Sequence, residues 1–339
     1  MVEKMKILSY IYYFITSFRN FLYDKGLLPI YHVKGVEIIC IGNISVGGTG
    51  KTPAVQFFVK KLQKMGKNVA VVSRGYRGKR KNEPCLVSDG RVIFASPQES
   101  GDEPYIHALN LNVPIIVSKN RYHACLFARK HFYVDTIVLD DGFQHRRLAR
   151  NWDVVLVDAT NPFGGRYLLP WGTLRESFKN GAKRAEEFII TKSDLVSERE
   201  VEKIKKYLKS SFHKEISVAK HGVHSLRDMA GNLKPLFWIQ GKRVLIFSGL
   251  ANPLNFEKTV LALEPSYIER IDFMDHHNFK EKDLLRIERR AEQMEADYIL
   301  TTEKDFVKFP KHLNIPNLYV LKIEFTMLED HSLKTWRII

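Results

Sequence analysis

The sequence predicts an α/β protein with a mostly parallel sheet and a second, smaller α/β lobe, and three observations carry that expectation. Beyond Gly35, short β-branched runs alternate with amphipathic helical stretches, the pattern of repeated βαβ units. A glycine-rich turn joins the first of these strands directly to the first helix. The 339 residues, 45% of them hydrophobic, suffice for two cores rather than one small domain.

Residues 1–30 begin with an aromatic and aliphatic stretch, Ile7 to Tyr23, flanked or punctuated by Lys4, Lys6, Arg19 and Lys25. Only about twelve residues separate Lys6 from Arg19, whereas a membrane span needs roughly 20 apolar residues. No small-residue cleavage site follows, so a removable signal peptide fits poorly. The expectation is an interfacial helix, its rings at headgroup depth and its cations against anionic lipid. Packing on the protein's own core is the alternative.

Residues 31–215 read as the main lobe, with strands at 36–41, 68–72, 114–117, 136–139, 153–157 and 187–191 and helices at 53–65 and 121–131. Right-handed crossovers between such strands give a doubly wound sheet. Asp89-Gly90 signals a hairpin turn between short strands at 86–87 and 91–94, an antiparallel excursion. From 216 to 242 polar residues and short strand-like runs break the rhythm, which suggests a β-stranded linker. Residues 243–339 then resume the alternation, with strands at 244–247, 298–301 and 318–323 and a helix at 255–263.

The formal charge of +15 predicts attraction to polyanions, whether nucleic acid, anionic membrane or a phosphorylated substrate. No recognised nucleic-acid-binding motif accompanies it. Cys40, Cys85 and Cys125 are widely spaced and form no CxxC pair, which offers neither a disulfide framework nor a structural zinc site and fits a reducing compartment.

The chemistry concentrates in Ser45-Val46-Gly47-Gly48-Thr49-Gly50-Lys51-Thr52, between a predicted strand and a predicted helix. That is the context of a Walker A loop, and it predicts a P-loop NTPase-type mostly parallel sheet. Its glycines let backbone N–H groups turn towards phosphate oxygens, Lys51 reaches the terminal phosphates and Thr52 offers a hydroxyl to Mg²⁺. Ser45 stands where the motif usually has its first glycine. Asp140 and Asp141 follow an apolar strand as a Walker B element does, and either carboxylate suits Mg²⁺ or its water. The loop after them carries Gln144, His145, Arg146 and Arg147.

Asp102 and Glu103 sit at a helix start, where one of them can accept a hydroxyl proton or merely cap the helix. Asp275-His276-His277 suggests one functional histidine more than a metal pair, because adjacent side chains diverge. Thr191-Lys192-Ser193-Asp194 resembles the base-reading element of GTPases, and Thr301 to Asp305 repeats the idea farther along. Arg74, Arg77, Lys79, Arg80 and Lys81, with Tyr76 among them, form the densest basic stretch, either a solvated loop or an anion clamp.

Taken in order, Arg19-Asn-x-Leu-Tyr-Asp-Lys-Gly26, the loop from Gly42 to Pro53, Ser73-Arg-Gly-Tyr76, Gly101-Asp-Glu-Pro104, Asp140-Asp-Gly-Phe-Gln-His145, Leu174-Arg-Glu176, Phe247-Ser-Gly249, Asp275-His276 and Thr301-Thr-x-Lys-Asp305 closely resemble the tetraacyldisaccharide 4'-kinase family. The resemblance implies transfer of the ATP γ-phosphoryl group to the 4'-hydroxyl of an anionic lipid disaccharide, tetraacyldisaccharide 1-phosphate. The product is lipid IVA, made at the cytoplasmic face of the bacterial inner membrane during lipopolysaccharide synthesis. It also implies a two-lobe α/β/α sandwich with a β-stranded linker, Asp102 as catalytic base paired with His276, Mg²⁺ managed by Thr52, Glu103, Asp140 and Asp141, and substrate or phosphate contacts from Tyr76, Arg121, Gln144, His145 and Arg175. Neither nucleic acid nor an obligate protein partner is implied. The rival readings are a P-loop GTPase or metallochaperone, disfavoured by the lack of a CxxC metal motif, and a basic nucleic-acid-binding ATPase.

Overall fold

A computed structural model describes residues 2–250, 253–275, 277–310 and 315–333. The chain divides into two compact units, residues 1–221 with 325–339 and residues 222–324.

The first unit begins with helix α1 (Val2–Asp24). No glycine or proline interrupts it, and it stops where Gly26 turns left-handed (φ 69) and Leu27 N–H reaches back to Leu22 O at 2.8 Å. Its strands are β1 (Glu37–Asn43), β2 (Val69–Ser73), β3 (Cys85–Asp89), β4 (Pro114–Val117), β5 (Thr136–Asp140), β6 (Trp152–Asp158), β7 (Glu187–Thr191) and β8 (Glu215–Asp228). They lie in the order β8-β7-β6-β1-β5-β2-β4-β3. All neighbours are parallel except β3, which runs antiparallel to β4 and forms an edge of the sheet, while the strand expected at 91–94 is reduced to a single bridge between Ser88 and Ile93.

Two apolar layers cover this sheet, which is why its strands read as continuous β-branched runs. In β1, Ile38 and Cys40 face one layer while Ile39 and Ile41 face the other, and β5 divides Ile137 and Leu139 from Val138 in the same way. Helix α2 (Lys51–Lys64) lays Ala54, Val55, Phe58, Val59 and Leu62 into the second layer at helical spacing. Phe58 is fully buried, and truncating it to alanine is expected to cost about 3–5 kcal/mol. Helices α3 (Pro97–Ser100), α4 (Asp102–Asn110), α5 (Arg121–His131), α6 (Phe178–Ala182) and α7 (Glu198–Phe212) complete the unit.

The order places β1 between β5 and β6, while the chain continues from β1 to β2 on one side and from β6 to β7 on the other. The carboxyl ends of β1 and β5 therefore open at a switch in the winding, where doubly wound sheets take their ligands.

The second unit receives the far part of β8, which pairs antiparallel with β9 (Leu233–Lys234). It contains β10 (Arg243–Ser248), α8 (Pro253–Leu261), β11 (Tyr267–Asp272), α9 (Glu281–Gln293), β12 (Tyr298–Thr302), α10 (Glu303–Phe306) and β13 (Leu318–Glu329). The strands run β11-β10-β12-β13 and are all parallel. Phe247, Phe279, Leu284 and Ile287 fill one of its apolar clusters, Val244, Ile246, Phe256 and Leu300 the other.

Candidate active site

The phosphate loop runs from the end of strand β1 to the head of helix α2. Gly50 caps α2 in a left-handed conformation (φ 84) and Gly47 takes φ 121, both suited to glycine. Ser45 has no positive φ, so the motif's usual first glycine is dispensable here. Instead Ser45 bridges Leu174, and Val46 N–H donates to Thr173 O at 2.7 Å, which stitches the loop to the segment ahead of Arg175. Cβ atoms added at Gly47 or Gly48 would meet nothing within 4 Å, so this stretch faces open space. The first N–H groups of α2 have no intrahelical carbonyl to bind and, with the helix dipole, favour an anion.

Lys51 is buried, with its ammonium 3.5 Å from Asn43 Oδ1 and 3.9 Å from Asp141 Oδ2. Asn43 also donates to Thr49 Oγ1 at 2.8 Å, so the last residue of β1 braces the loop from within. Arg175 holds Asp141 through both carboxylate oxygens and also reaches Gln144 Oε1 at 3.3 Å. Burial opposes ionisation of Asp141, but Lys51 and Arg175 outweigh it and keep the carboxyl below its ordinary value. Gln144 donates to Asn43 O at 2.9 Å and to Glu176 Oε1 at 3.2 Å. Glu176 is in turn held by both nitrogens of Arg184 and by Asn20 Nδ2 at 2.8 Å.

The two Walker B acids have different surroundings. Asp140 is buried, its Oδ2 lying 3.2 Å from His107 Nε2 and 3.4 Å from Ser73 Oγ, while its Oδ1 has no hydrogen-bond partner among the described residues. Asp141 stands in a left-handed turn (φ 55), spent on two cations. An orphaned buried carboxylate oxygen together with the Thr52 hydroxyl suits a hard cation. No three His, Cys, Asp or Glu groups among the described residues converge as a protein-only metal cage.

Asp102 and Glu103 open α4, whose His107 is the residue that touches Asp140, so one helix connects the two acidic centres. The basic loop packs against that helix start: Cβ atoms at Gly78 and Gly101 would fall 2.4 Å from Glu99 O and 2.7 Å from Tyr76 O. Arg80 is consumed holding this loop, bonding Gly75 O, Arg74 O and Glu83, whereas Tyr76 is 62% exposed beneath the Arg77 guanidinium. Arg121 is buried at the start of α5, 3.5 Å from Asp141 O. The pKa of His145 is lowered to about 4 by burial and then by Arg121, Arg150, Arg147 and Arg74, so the ring is neutral at physiological pH, and its buried Nε2 has no hydrogen-bond partner among the described residues.

In the second unit, His277 Nε2 lies 3.0 Å from Asp283 Oδ2, and His276 lies outside the described residues. Asp305 is buried and bonded to Thr302 Oγ1, a capped strand end.

Helix α1 approaches the same site with its polar side. Tyr12 hydroxyl donates to Arg175 O at 3.0 Å, Ser9 hydroxyl to Leu168 O, and Thr16 and Asn20 are buried on that side. Its opposite side exposes Ile7, Tyr10, Ile11, Phe14, Ile15 and Phe18, each at least half exposed. Among the described residues no helix is long and apolar enough to cross a membrane. The spacing of Ser9, Tyr12, Thr16 and Asn20 carried this inverted pattern in the sequence. Asn43, His107 and Glu176, by contrast, become visible as site residues only through their contacts.

A glycine loop with a buried lysine at the head of a helix, facing paired aspartates at the switch point, defines a P-loop nucleotide-binding protein. The model of the LpxK family, tetraacyldisaccharide-1-P 4'-kinase, matches residues 3–337, and the chain belongs to that family. A tetraacyldisaccharide 4'-kinase of Halothermothrix orenii is 37% identical over 95% of this chain and 88% of its own length. One from Elusimicrobium minutum is 36% identical over 94% and 85%. A crystal structure of LpxK from Aquifex aeolicus in complex with ATP is 30% identical, covers 97% of this chain and 95% of that one, and superposes with a TM-score of 0.76.

Proposed function

We infer that this chain transfers the γ-phosphoryl group of ATP to the 4'-hydroxyl of tetraacyldisaccharide 1-phosphate, forming lipid IVA. Family membership along residues 3–337 supports the acceptor, and the Lys51–Asp141–Arg175 cluster at the mouth of the loop is the observation that carries phosphoryl transfer. Residues 47–52 cradle the phosphates through backbone N–H groups, and Lys51 and Arg175 compensate charge that develops in transfer. Asp141 keeps both cations in place between turnovers.

Asp102 takes the proton of the attacking hydroxyl, and the role of His276 as its family partner is a kinetic proposal. Arg121, Tyr76, Gln144 and neutral His145 contact the phosphates or the sugar. Thr52 and Asp140 would hold Mg²⁺, with Glu103 and Asp141 meeting its waters. When bound, that ion neutralises phosphate charge.

The exposed apolar side of α1 lies in the interface of an anionic membrane, with Lys4, Lys6 and Lys25 near the headgroups. This brings the lipid acceptor to the cytoplasmic face of the inner membrane beside a site to which α1 is already bonded at Tyr12 and Asn20.

The test is turnover of tetraacyldisaccharide 1-phosphate by wild type and Lys51→Ala in mixed micelles with Mg-ATP. Transfer by the wild type and its collapse in the variant are expected. Equal rates for both proteins would remove the loop from the reaction.

A further inference from the structure

Asp140 closes β5 with its two carboxylate oxygens in unequal surroundings. Oδ2 takes the His107 Nε2 at 3.2 Å and the Ser73 hydroxyl at 3.4 Å, whereas Oδ1 has no hydrogen-bond partner among the described residues. The Ser73 contact is long, so His107 is the donor that sets the plane of the carboxylate. Both side chains are buried, His107 at 0% and Asp140 at 1% exposure, and bulk water has no access to replace the bond.

Packing alone does not favour a histidine at this position. His107 lies in α4 among buried Tyr105 and Ile106. Its Nδ1 is buried and has no hydrogen-bond partner among the described residues, a cost that a leucine would not carry. What the ring supplies in return is the Nε2 donor to Asp140.

The helix that delivers His107 begins at Asp102. Five residues of α-helix rise about 7.5 Å, so a short rigid arm joins the acid that takes the hydroxyl proton to the acid that meets the cation.

We propose that His107 is a positioning residue for Asp140. Its Nε2–H holds Oδ2, leaves Oδ1 to the divalent cation, and keeps that acid in register with Asp102 at the head of the same helix. Removing a group that orients a ligand carboxylate typically lowers metal affinity about 10–100-fold. The assignment rests on the reading of Asp140 as a Mg²⁺ ligand and adds to it what aims the ligand.

Mn²⁺ binding to the complex of the full chain with ADP, followed through the electron paramagnetic resonance signal of the free ion, reads the cation site without turnover. His107→Leu has no donor, and the amide of His107→Asn stands near the Nδ1 position, short of Oδ2. Both are expected to weaken Mn²⁺ binding about tenfold or more, and the asparagine variant serves if the leucine one folds poorly. His107→Gln places its amide near the Nε2 position and should stay within about threefold of the wild type. ADP affinity in EDTA should be unchanged in all three variants. The Mg²⁺ concentration giving half-maximal phosphoryl transfer should rise in the same order, with KM for the lipid unchanged. Wild-type Mn²⁺ affinity in the asparagine variant would overturn the proposal, as would a glutamine variant no better than it. An equal loss of ADP affinity in EDTA would make His107 a general support of the site and overturn it too. Asp140→Ala is expected to lose Mn²⁺ binding, and wild-type binding there would sink the reading of Asp140 as a ligand, on which the proposal rests.

Discussion

Arg175 grips both carboxylate oxygens of Asp141, with Nη1 2.7 Å from Oδ1 and Nη2 3.0 Å from Oδ2. Two parallel charge-assisted bonds fix the planes of both groups beside Lys51, a geometry that an ammonium cannot reproduce. Arg175→Ala is expected to lower kcat about a hundredfold, with Arg175→Lys recovering little. Steady-state kinetics against ATP and lipid would check this, and an unchanged kcat would remove Arg175 from the transition state.

Asp102 as base predicts a different signature. Asp102→Asn keeps the helix start but cannot accept the proton, so kcat should fall about 10²–10⁴-fold with KM for ATP near the wild-type value. His276→Ala, assayed at saturating lipid, should also lose turnover. A wild-type rate in that variant would dissolve the proposed pairing.

Stability should depend on pH through Glu187, which is 1% exposed in β7 and accepts the Leu333 N–H at 3.0 Å. Burial pushes its carboxyl from 4.5 up to about 7. Between those values the unfolded chain has released the proton that the folded chain retains, so stability falls as pH rises from 4.5 to 7 and levels off above. Glu187→Gln should therefore gain about 2–3 kcal/mol over the wild type at pH 8 and almost nothing at pH 4.5. Urea unfolding at the two pH values measures it, and a gain of the same size at both would contradict the burial account.

The two sides of α1 should respond differently. Ile11 and Phe14 are 50% and 69% exposed, so Ile11→Asp with Phe14→Asp should reduce binding to anionic vesicles at least tenfold without changing the melting temperature. Asn20→Ala removes a bond to buried Glu176 and should cost about 1–2 kcal/mol of stability. Vesicle sedimentation and thermal melts separate these effects, and wild-type sedimentation of the double variant would refute the interfacial role.

The sequence made much of this architecture legible because its signals were local. Strands buried on both faces left uninterrupted apolar runs, and the strands expected at 114–117 and 187–191 appear with those same bounds. The glycine loop announced itself through residue types that few other structures need. The expected helix at 53–65 begins earlier, at Lys51, because Gly50 already supplies the left-handed cap. The hydrogen bonds of the site were hidden. His107 meets Asp140 across 33 positions and Asn20 meets Glu176 across 156, pairings set by the winding of the sheet and absent from any spacing. The Lys192–Asp194 element, so similar to a GTPase signature, acquires its setting only where β7 ends beside the phosphate loop, Thr191 donating its hydroxyl to Thr49 O.

The central claim is that the γ-phosphoryl group of ATP ends on one particular hydroxyl of a lipid. γ-Labelled ATP, Mg²⁺ and tetraacyldisaccharide 1-phosphate in detergent micelles, followed by locating the new phosphate on the isolated lipid, test it most directly. The expected result is label esterified at the 4'-position, abolished by Lys51→Ala. Label recovered only as inorganic phosphate, from folded and nucleotide-binding protein, would contradict the account.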